Sequence, residues 1–295
     1  MSFVVDSHAH VLAADLASFP TLPLTDEVRQ RCFSPPFTAE RLVAAMAAGG
    51  VGQALVVQRS QIYGCDNAYV CEAARLSLGR LFCVVAVDGG SPGCVNDAAA
   101  WVDRGAVGLR LMQQSTDAGL DWLGGAQATA LWRFAAERGV PMCVHLFASA
   151  REIGLPLLRR LIDDHPGVRV VIDHLSNQPV ADDRDGPDAL IRAFADYGNV
   201  ALKFTAIPLA RWREQGIAAP EILRRFVAAF GADRMMWGSD VSQSTGSYEE
   251  LLALGHEATA PLADGERAML MGGTAARFYK LEATTGLSRP ARAAE

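Results

Sequence analysis

The chain has 295 residues, half of them apolar and a fifth charged, so it can bury a large core and is not expected to be disordered. Its 27 basic and 33 acidic residues give a net charge of -6, which argues against a general surface for nucleic acid or anionic membrane. Six cysteines without CxxC spacing indicate reduced thiols in the cytoplasm, and neither a signal peptide nor a membrane-length apolar run is found.

Short apolar runs alternate with longer Ala/Leu/Arg segments along the chain, a pattern typical of βαβ units. Eight strands with intervening helices favour a single closed (β/α)8 TIM barrel over residues 1–282, followed by a peripheral tail at 283–295; an open doubly wound sheet is the alternative. The predicted strands are 3–8, 54–58, 82–88, 107–111, 141–146, 169–174, 199–205 and 234–239.

Helices are predicted between these strands. Thr38 can cap a helix that ends at Gly49-Gly50, and Asp66 can cap one that runs towards Gly79. Two segments interrupt the alternation: 11–37, a proline-containing long loop after strand 1 that is a candidate active-site cover, and 176–188. Further helices are predicted at 94–104, 127–138, 151–164, 187–197, 220–230 and 247–256, with a C-terminal helix near 274–281.

The first strand, VVDSHAH, carries polar residues where a core strand should be apolar. Side chains two apart on a strand point the same way, so His8 and His10 share a face, and Asp6 is expected to join them. Three further polar residues lie at predicted strand ends. The carboxyl ends of barrel strands form the catalytic mouth, so these residues are predicted to meet there. They are His145, His174 and Asp240.

Neutral imidazoles beside a carboxylate suit one divalent metal, with zinc the first choice, because zinc accepts N and O ligands and keeps a position open for water. Such a metal would acidify water and polarise a carbonyl oxygen. The same residues can also act without metal, with Asp240 as general base and the imidazoles as electrophiles. The residues alone leave both routes open.

The arrangement resembles the amidohydrolase superfamily: HxH on strand one, histidines closing strands five and six, and "WGSD" closing strand eight. Within it, "VVQRSQIYGCDNAYVCEAA", "VGLRL", "VIDHLS", "NVALKFT" and the C-terminal "GGTAARFY" are similar to the amidohydrolase-related lactonase branch, which includes 2-pyrone-4,6-dicarboxylate lactonase, sulfomuconolactone hydrolase and sugar-lactone hydrolases. The resemblance spans nearly the whole barrel.

The resemblance implies a hydrolase that opens a carboxylated or sugar-derived lactone. It implies that Asp240 activates water and that His174 orients or polarises the substrate. By position, the metal ligands or their vestiges would be His8, His10, His145 and Asp240.

The chain also departs from its relatives. Arg110 stands on strand four where binuclear relatives carry a carboxylated lysine, which limits the expected site to one metal. Val241-Ser242-Gln243 replaces the usual Trp-Pro after Asp240, and Thr274 stands where asparagine is frequent.

Arginines near the mouth are candidate substrate contacts. Arg59 and Arg110 can clamp a carboxylate or pair with acids of the protein, and Tyr63 and Asn67 can line the mouth. Lys203 lies in mid-strand, so it either pairs with an internal acid, Asp173 or Asp240, or points to the outer ring.

Three functions fit these features. Lactone hydrolysis comes first, and metal-dependent non-oxidative decarboxylation by the same superfamily is the alternative. A barrel that only binds a small molecule is disfavoured, because unsupported buried polar groups destabilise a fold. The expected partner is a small-molecule substrate, without nucleic acid or membrane, and the sequence does not specify an oligomeric state.

Overall fold

The computed structural model describes residues 3–115, 119–179 and 185–281. Eight parallel strands form one sheet in sequential order, each within three residues of its predicted bounds. They are β1 (Val4–Ala9), β2 (Val51–Val57), β3 (Leu81–Ala86), β4 (Gly108–Met112), β5 (Met142–His145), β6 (Val170–Ile172), β7 (Val200–Thr205) and β8 (Met235–Gly238).

The sheet is closed by backbone contacts between the first and last strands. The Asp240 N–H donates to the His8 carbonyl oxygen at 2.7 Å, and the His10 N–H donates to the Val241 carbonyl oxygen at 3.3 Å. Glycine is required at 238, because a Cβ there would lie 2.6 Å from the Cβ of His8. The fold is therefore a (β/α)8 TIM barrel, and the open doubly wound alternative is wrong because sequential strand order has no reversal point.

Helices surround the strands and bury their apolar faces against them. The main ones are α1 (Asp26–Phe33), α2 (Ala39–Gly49), α3 (Ser60–Tyr63), α4 (Ala68–Leu76), α5 (Cys94–Asp103), α6 (Asp121–Gly124), α7 (Ala126–Arg138), α8 (Arg151–Asp164), α9 (Ala189–Arg192), α10 (Ala206–Glu214), α11 (Ala219–Phe230), α12 (Tyr248–Thr259), α13 (Asp264–Ala268) and α14 (Thr274–Tyr279).

Of the two predicted helix caps, the one at α2 is confirmed and the one at α4 is not. Thr38 caps α2 through its hydroxyl, and Gly50 ends that helix with φ 71°, as predicted. The predicted cap of α4 is wrong by one residue: Asn67 occupies the cap position, although its side chain does not bond to the helix N–H groups, whereas Asp66 accepts the Ala68 N–H at 3.1 Å.

Other helix predictions need correction. The helix expected at 187–197 is limited to the four residues of α9. Helix α1 lies inside the segment 11–37, which was expected to lack periodic structure, and α10 follows β7 directly without having been predicted. The tail at 283–295 and part of the segment 176–188 lie outside the described residues.

The interior of the barrel has two regions. The end at the amino termini of the strands, here the lower interior, is apolar and is packed against α14 through Phe278 and Tyr279. The other end, here the upper interior, carries the polar residues of the candidate site. Inward side chains of the lower interior are Val5, Leu55, Val57, Val84, Cys143, Val171, Ala201 and Met236.

No helix among the described residues is both long and apolar enough to cross a membrane.

Candidate active site

A cavity of about 340 Å³ opens at the carboxyl ends of the strands. The histidine rings meet there: the centroids of His8 and His10 are 4.9 Å apart, those of His8 and His174 4.7 Å, and those of His145 and His174 5.2 Å. The cavity is lined by His10, Gln61, Arg110, His145, Phe147, Ala148, His174, Asn177, Ile207, Arg211, Asp240 and Gln243.

Strand β1 supplies two of the rings. His10 donates from Nδ1 to the Val57 carbonyl oxygen at 2.7 Å, because a carbonyl can only accept; the Nε2 lone pair therefore faces the site. Asp6 does not join the histidines as expected. Its Oδ1 accepts the N–H groups of His8 (3.0 Å) and Ser239 (2.9 Å), so it ties β1 to β8 where the register of β1 is irregular.

Strand β8 delivers the carboxylate. Asp240 has φ 53°, a left-handed conformation rare outside glycine, and this turn directs its side chain into the cavity. Its Oδ2 accepts the Ser244 hydroxyl at 2.8 Å. Burial alone would raise the pKa of Asp240, but the neighbouring His10 and His174 rings and the Ser244 hydroxyl hold that pKa below its usual value. Asp240 is therefore ionised at neutral pH.

The chain after β6 also takes left-handed turns. Residues 174–177 all have φ between 51° and 56°, and this places His174 against the cavity with its Nδ1 2.7 Å from the Thr205 hydroxyl. Strained backbone of this kind concentrates at functional sites. The neighbouring Asp173 points into the barrel below His174, where it contacts His8 and the charged groups of Arg110 and Lys203.

His8, His145 and His174 are neutral at neutral pH. Burial, together with the charge of Arg110, lowers the pKa of His145 to about 4. Burial also holds the pKa of His8 and of His174 well below the usual histidine range. Neutral imidazoles can ligate a metal or donate a hydrogen bond to a developing oxyanion.

A buried charge network lies beneath the rings. Asp173 pairs through Oδ1 with Lys203 Nζ at 3.3 Å and through Oδ2 with Arg110 Nε at 3.0 Å. Burial opposes ionisation of this carboxyl, yet the charges of Lys203 and Arg110 and the contact with His8 hold its pKa well below the usual range. Cys143 donates its thiol to Asp173 at 2.9 Å, and burial raises the pKa of the thiol to about 12, which excludes a thiolate nucleophile.

Two groups of side chains have the spacing of metal ligands: His8–His10–Asp240 and His8–Asp173–His174. In the first, Asp240 Oδ1 lies 3.6 Å from His8 Nε2 and 3.4 Å from His10 Nε2. His8 Nε2 and Asp240 Oδ1 are buried, and no described residue hydrogen-bonds to either atom. Two imidazole nitrogens and a carboxylate oxygen facing one point fit a zinc ion.

Of the predicted substrate contacts, Arg110 lines the cavity, whereas the hydrogen bonds of the other three join parts of the protein. Arg59 donates to the Ser242 carbonyl (2.6 Å) and to Gln243 Oε1 (2.6 Å). The Tyr63 hydroxyl accepts the Ala13 N–H at 2.9 Å. Asn67 is fully buried and bonds both to the Ala86 N–H and to its carbonyl. Their roles as substrate contacts stay predictions that this geometry does not favour.

Other cavity residues were missed by the sequence reasoning. Gln61, Asn177 and Gln243 line the wall, yet each lies in a turn or in a helix of at most five residues, too short to show periodicity. Gln243 belongs to the departure Val241-Ser242-Gln243 already noted, and that departure was the available signal. His145 belongs to neither ligand group among the described residues, so its role as a metal ligand stays a prediction.

Comparisons with known proteins agree with this architecture. A family model described as Amidohydrolase matches residues 5–281. L-fucono-1,5-lactonase of Burkholderia ambifaria is 28% identical over 302 residues, covering 97% of this chain and 98% of that protein.

Solved structures match the fold. An amidohydrolase from Burkholderia multivorans with bound zinc has a TM-score of 0.70 and 24% identity, covering 95% of this chain and 100% of that chain. A 2,6-dihydroxybenzoate decarboxylase has a TM-score of 0.68 and 14% identity, covering 95% and 100%. At these identities the structural likeness extends to the fold alone.

Proposed function

The chain belongs to the amidohydrolase family, and from this premise we propose that it is a hydrolase that opens a lactone ring by adding water. The observation that carries the proposal is the ionised Asp240 carboxylate, which lines one cavity together with His10, His145 and His174. A full-length relative is named for the hydrolysis of a cyclic sugar ester, L-fucono-1,5-lactone.

In the proposed reaction Asp240 is the general base. Its Oδ1 takes a proton from water as the water oxygen bonds to the lactone carbonyl carbon. The neutral rings of His145 and His174 donate hydrogen bonds to the oxygen that becomes negative. The tetrahedral intermediate then collapses, the bond from carbon to the ring oxygen breaks, and that oxygen receives the proton held by Asp240. The product is a hydroxy acid.

We further propose that a zinc ion binds at the His8–His10–Asp240 group. Support comes from the two unpartnered buried atoms, His8 Nε2 and Asp240 Oδ1, and from the bond to Val57 that directs the His10 Nε2 lone pair inwards. Zinc bound there would polarise the lactone carbonyl and acidify water. The proton transfers assigned to Asp240 need no metal, so the metal-free route uses the same residues.

A sugar-derived lactone fits the cavity better than a carboxylated one. The wall carries amide groups of Gln61, Asn177 and Gln243, which suit substrate hydroxyl groups. The guanidinium of Arg110 already pairs with Asp173, and that of Arg59 bonds to the loop after β8. About 340 Å³ is enough for a single six-membered ring with its substituents.

The test is a panel of sugar, pyrone and muconate-derived lactones, with and without zinc, in which acid release is titrated at constant pH. We expect acid release from a six-carbon sugar lactone. Turnover restricted to dicarboxylate lactones would overturn the substrate class. Release of CO2 from carboxylated aromatic acids, without acid release from any lactone, would replace hydrolysis by decarboxylation.

We propose the cytoplasm as the site of action, because a reducing compartment suits this chain. All six cysteines have free thiols, and five of them are buried. The Cys71 and Cys83 sulfur atoms lie 3.2 Å apart without being bonded.

A further inference from the structure

The chain has two lysines, Lys203 and Lys280, among its 27 basic residues; the others are arginines. Lys280 is exposed at the end of α14. Lys203 is fully buried in mid-strand in β7, with no solvent-accessible surface. A buried ammonium is costly unless charged or polar partners compensate it, so its partners indicate its use.

Those partners lie directly beneath the catalytic rings. Lys203 Nζ is 3.3 Å from Asp173 Oδ1, 3.3 Å from His8 Nδ1 and 3.4 Å from Cys143 Sγ. It also lies 5.8 Å from the centre of the Tyr279 ring, which forms the boundary with the lower interior. The ammonium is therefore enclosed by a carboxylate and a sulfur that accept hydrogen bonds and by an aromatic ring that attracts cations, with the His8 ring packed beside it.

Two of these partners belong to the second ligand group, His8–Asp173–His174. His8 Nδ1 and Asp173 Oδ1 are 3.4 Å apart, a separation that one metal ion can bridge. At ordinary zinc ligand distances, an ion on both atoms would lie within about 4 Å of Lys203 Nζ. Such an ion would take the place of Lys203 as the partner of Asp173. It would also put two positive charges close together in a buried region, where screening is weak.

We propose that the Lys203 ammonium serves as a built-in cation for the His8–Asp173–His174 group, so that a metal ion binds only at the His8–His10–Asp240 group. This inference rests on the metal position proposed above. Lys203 is a positioning residue: it holds Asp173 and fixes the number of metal ions, without touching the substrate.

The test counts zinc. Wild-type protein, Lys203→Met and the control Lys280→Met are stripped with chelator, dialysed against excess zinc chloride and analysed for bound zinc per chain by mass spectrometry. We expect Lys203→Met to hold one more zinc ion than the wild type, because methionine fills the space without a charge. Lys280→Met should match the wild type, because it loses the same charge at the surface.

A double variant locates the additional ion. Lys203→Met with Asp173→Asn should lose it, because the second ligand group then lacks its carboxylate. Equal zinc counts in Lys203→Met and wild type would overturn the proposal, as would an additional ion that persists in the double variant.

If Lys203→Met does not fold, titration of wild type and Asp173→Asn with zinc decides instead. A second ion in the wild type that disappears in Asp173→Asn overturns the proposal, whereas no second ion in the wild type supports it. Zinc counting involves no substrate, so a chain without lactonase activity would refute the proposed function and leave these counts unchanged.

Discussion

The lower and upper interior of the barrel are formed by the same eight strands, only two residues apart along several of them. The inward residue changes from Val171 on β6 to Asp173 just after it, and on β7 from Ala201 to Lys203. Residues two apart on a strand share a face, so both regions face the same interior. Packing alone explains the apolar region, whereas buried charges at one end only require a further reason.

We attribute the buried charges to the reaction proposed for the carboxyl ends of the strands. Lys203 and Arg110 form buried ion pairs with Asp173, and Asp240 contacts the His8 and His10 rings. Replacing such pairs by apolar residues is often neutral or stabilising in proteins, so their presence costs stability. The two regions should therefore respond differently to mutation, the lower one in stability and the upper one in activity.

The largest expected effect is on turnover. Asp240→Asn removes the proposed base and should lower kcat about 10²–10⁴-fold, the usual contribution of a general base, while the far-ultraviolet circular dichroism stays unchanged. The measurement is acid release from the lactone that the panel identifies. Asp164→Asn, an exposed substitution at the end of α8, is the matched control and should keep full activity. An unchanged kcat in Asp240→Asn would remove the base role.

The lower interior should show the opposite response. Leu55 is fully buried there, so Leu55→Ala should lower the free energy of unfolding by about 2–5 kcal/mol. Activity of the folded fraction should stay near that of the wild type, because Leu55 lies outside the cavity wall. Urea unfolding measures the loss. Leu78→Ala, at a side chain that is 89% exposed, is the control. A large loss of kcat/KM in Leu55→Ala would contradict the separation of a stabilising lower interior from a functional upper interior.

Acid should destabilise the upper interior selectively. His145 has a folded pKa of about 4 against a usual value near 6.5. Between these values the unfolded chain binds more protons, so stability falls as pH drops from 6.5 to 4 and the loss then levels off. For this residue the loss is at most about 3 kcal/mol.

Urea unfolding in chelator at pH 7 and pH 4.5 tests this sign. Wild type should lose more stability than His145→Asn over that interval, because asparagine does not titrate. The free energy of unfolding of Leu55→Ala should fall by as much as that of the wild type over this interval, because the stability lost through the Leu55 substitution does not depend on pH. If the free energy of unfolding of His145→Asn falls between pH 7 and pH 4.5 as much as that of the wild type, this ring does not titrate as argued.

The sequence predicted the strands well because each is a short β-branched or apolar run whose meaning is local. It also placed His8, His10, His145, His174 and Asp240 at one end, because strand polarity is shared around a barrel. The helices that it missed have local reasons too. Helix α1, DEVRQRCF, has a single buried residue and so little apolar periodicity, and α10 follows β7 without a turn signal.

What the sequence could not show is contact between distant residues. Arg59 bonds to residues more than 180 positions away on the loop after β8. Lys203 was left between inward pairing and an outward position, and its distance to Asp173 required the assembled barrel. An arginine near a strand end therefore predicts a positive charge at the mouth, but not whether that charge pairs with the substrate or with a group of the protein.

Asn67 sharpens this last distinction and carries the smallest expected effect. Its side chain accepts the Ala86 N–H at 2.8 Å and donates to the carbonyls of Ala86 and Cys65, so it anchors the start of α4 to the end of β3. Asn67→Ala should lower the free energy of unfolding by about 1–3 kcal/mol, because buried backbone groups lose their partners. KM should not change, since the amide has no group left for substrate. Asn96→Ala, an exposed substitution in α5, controls for the loss of an amide. A raised KM with unchanged stability would instead place Asn67 among the substrate contacts and extend the functional region of the upper interior into the loop after β2.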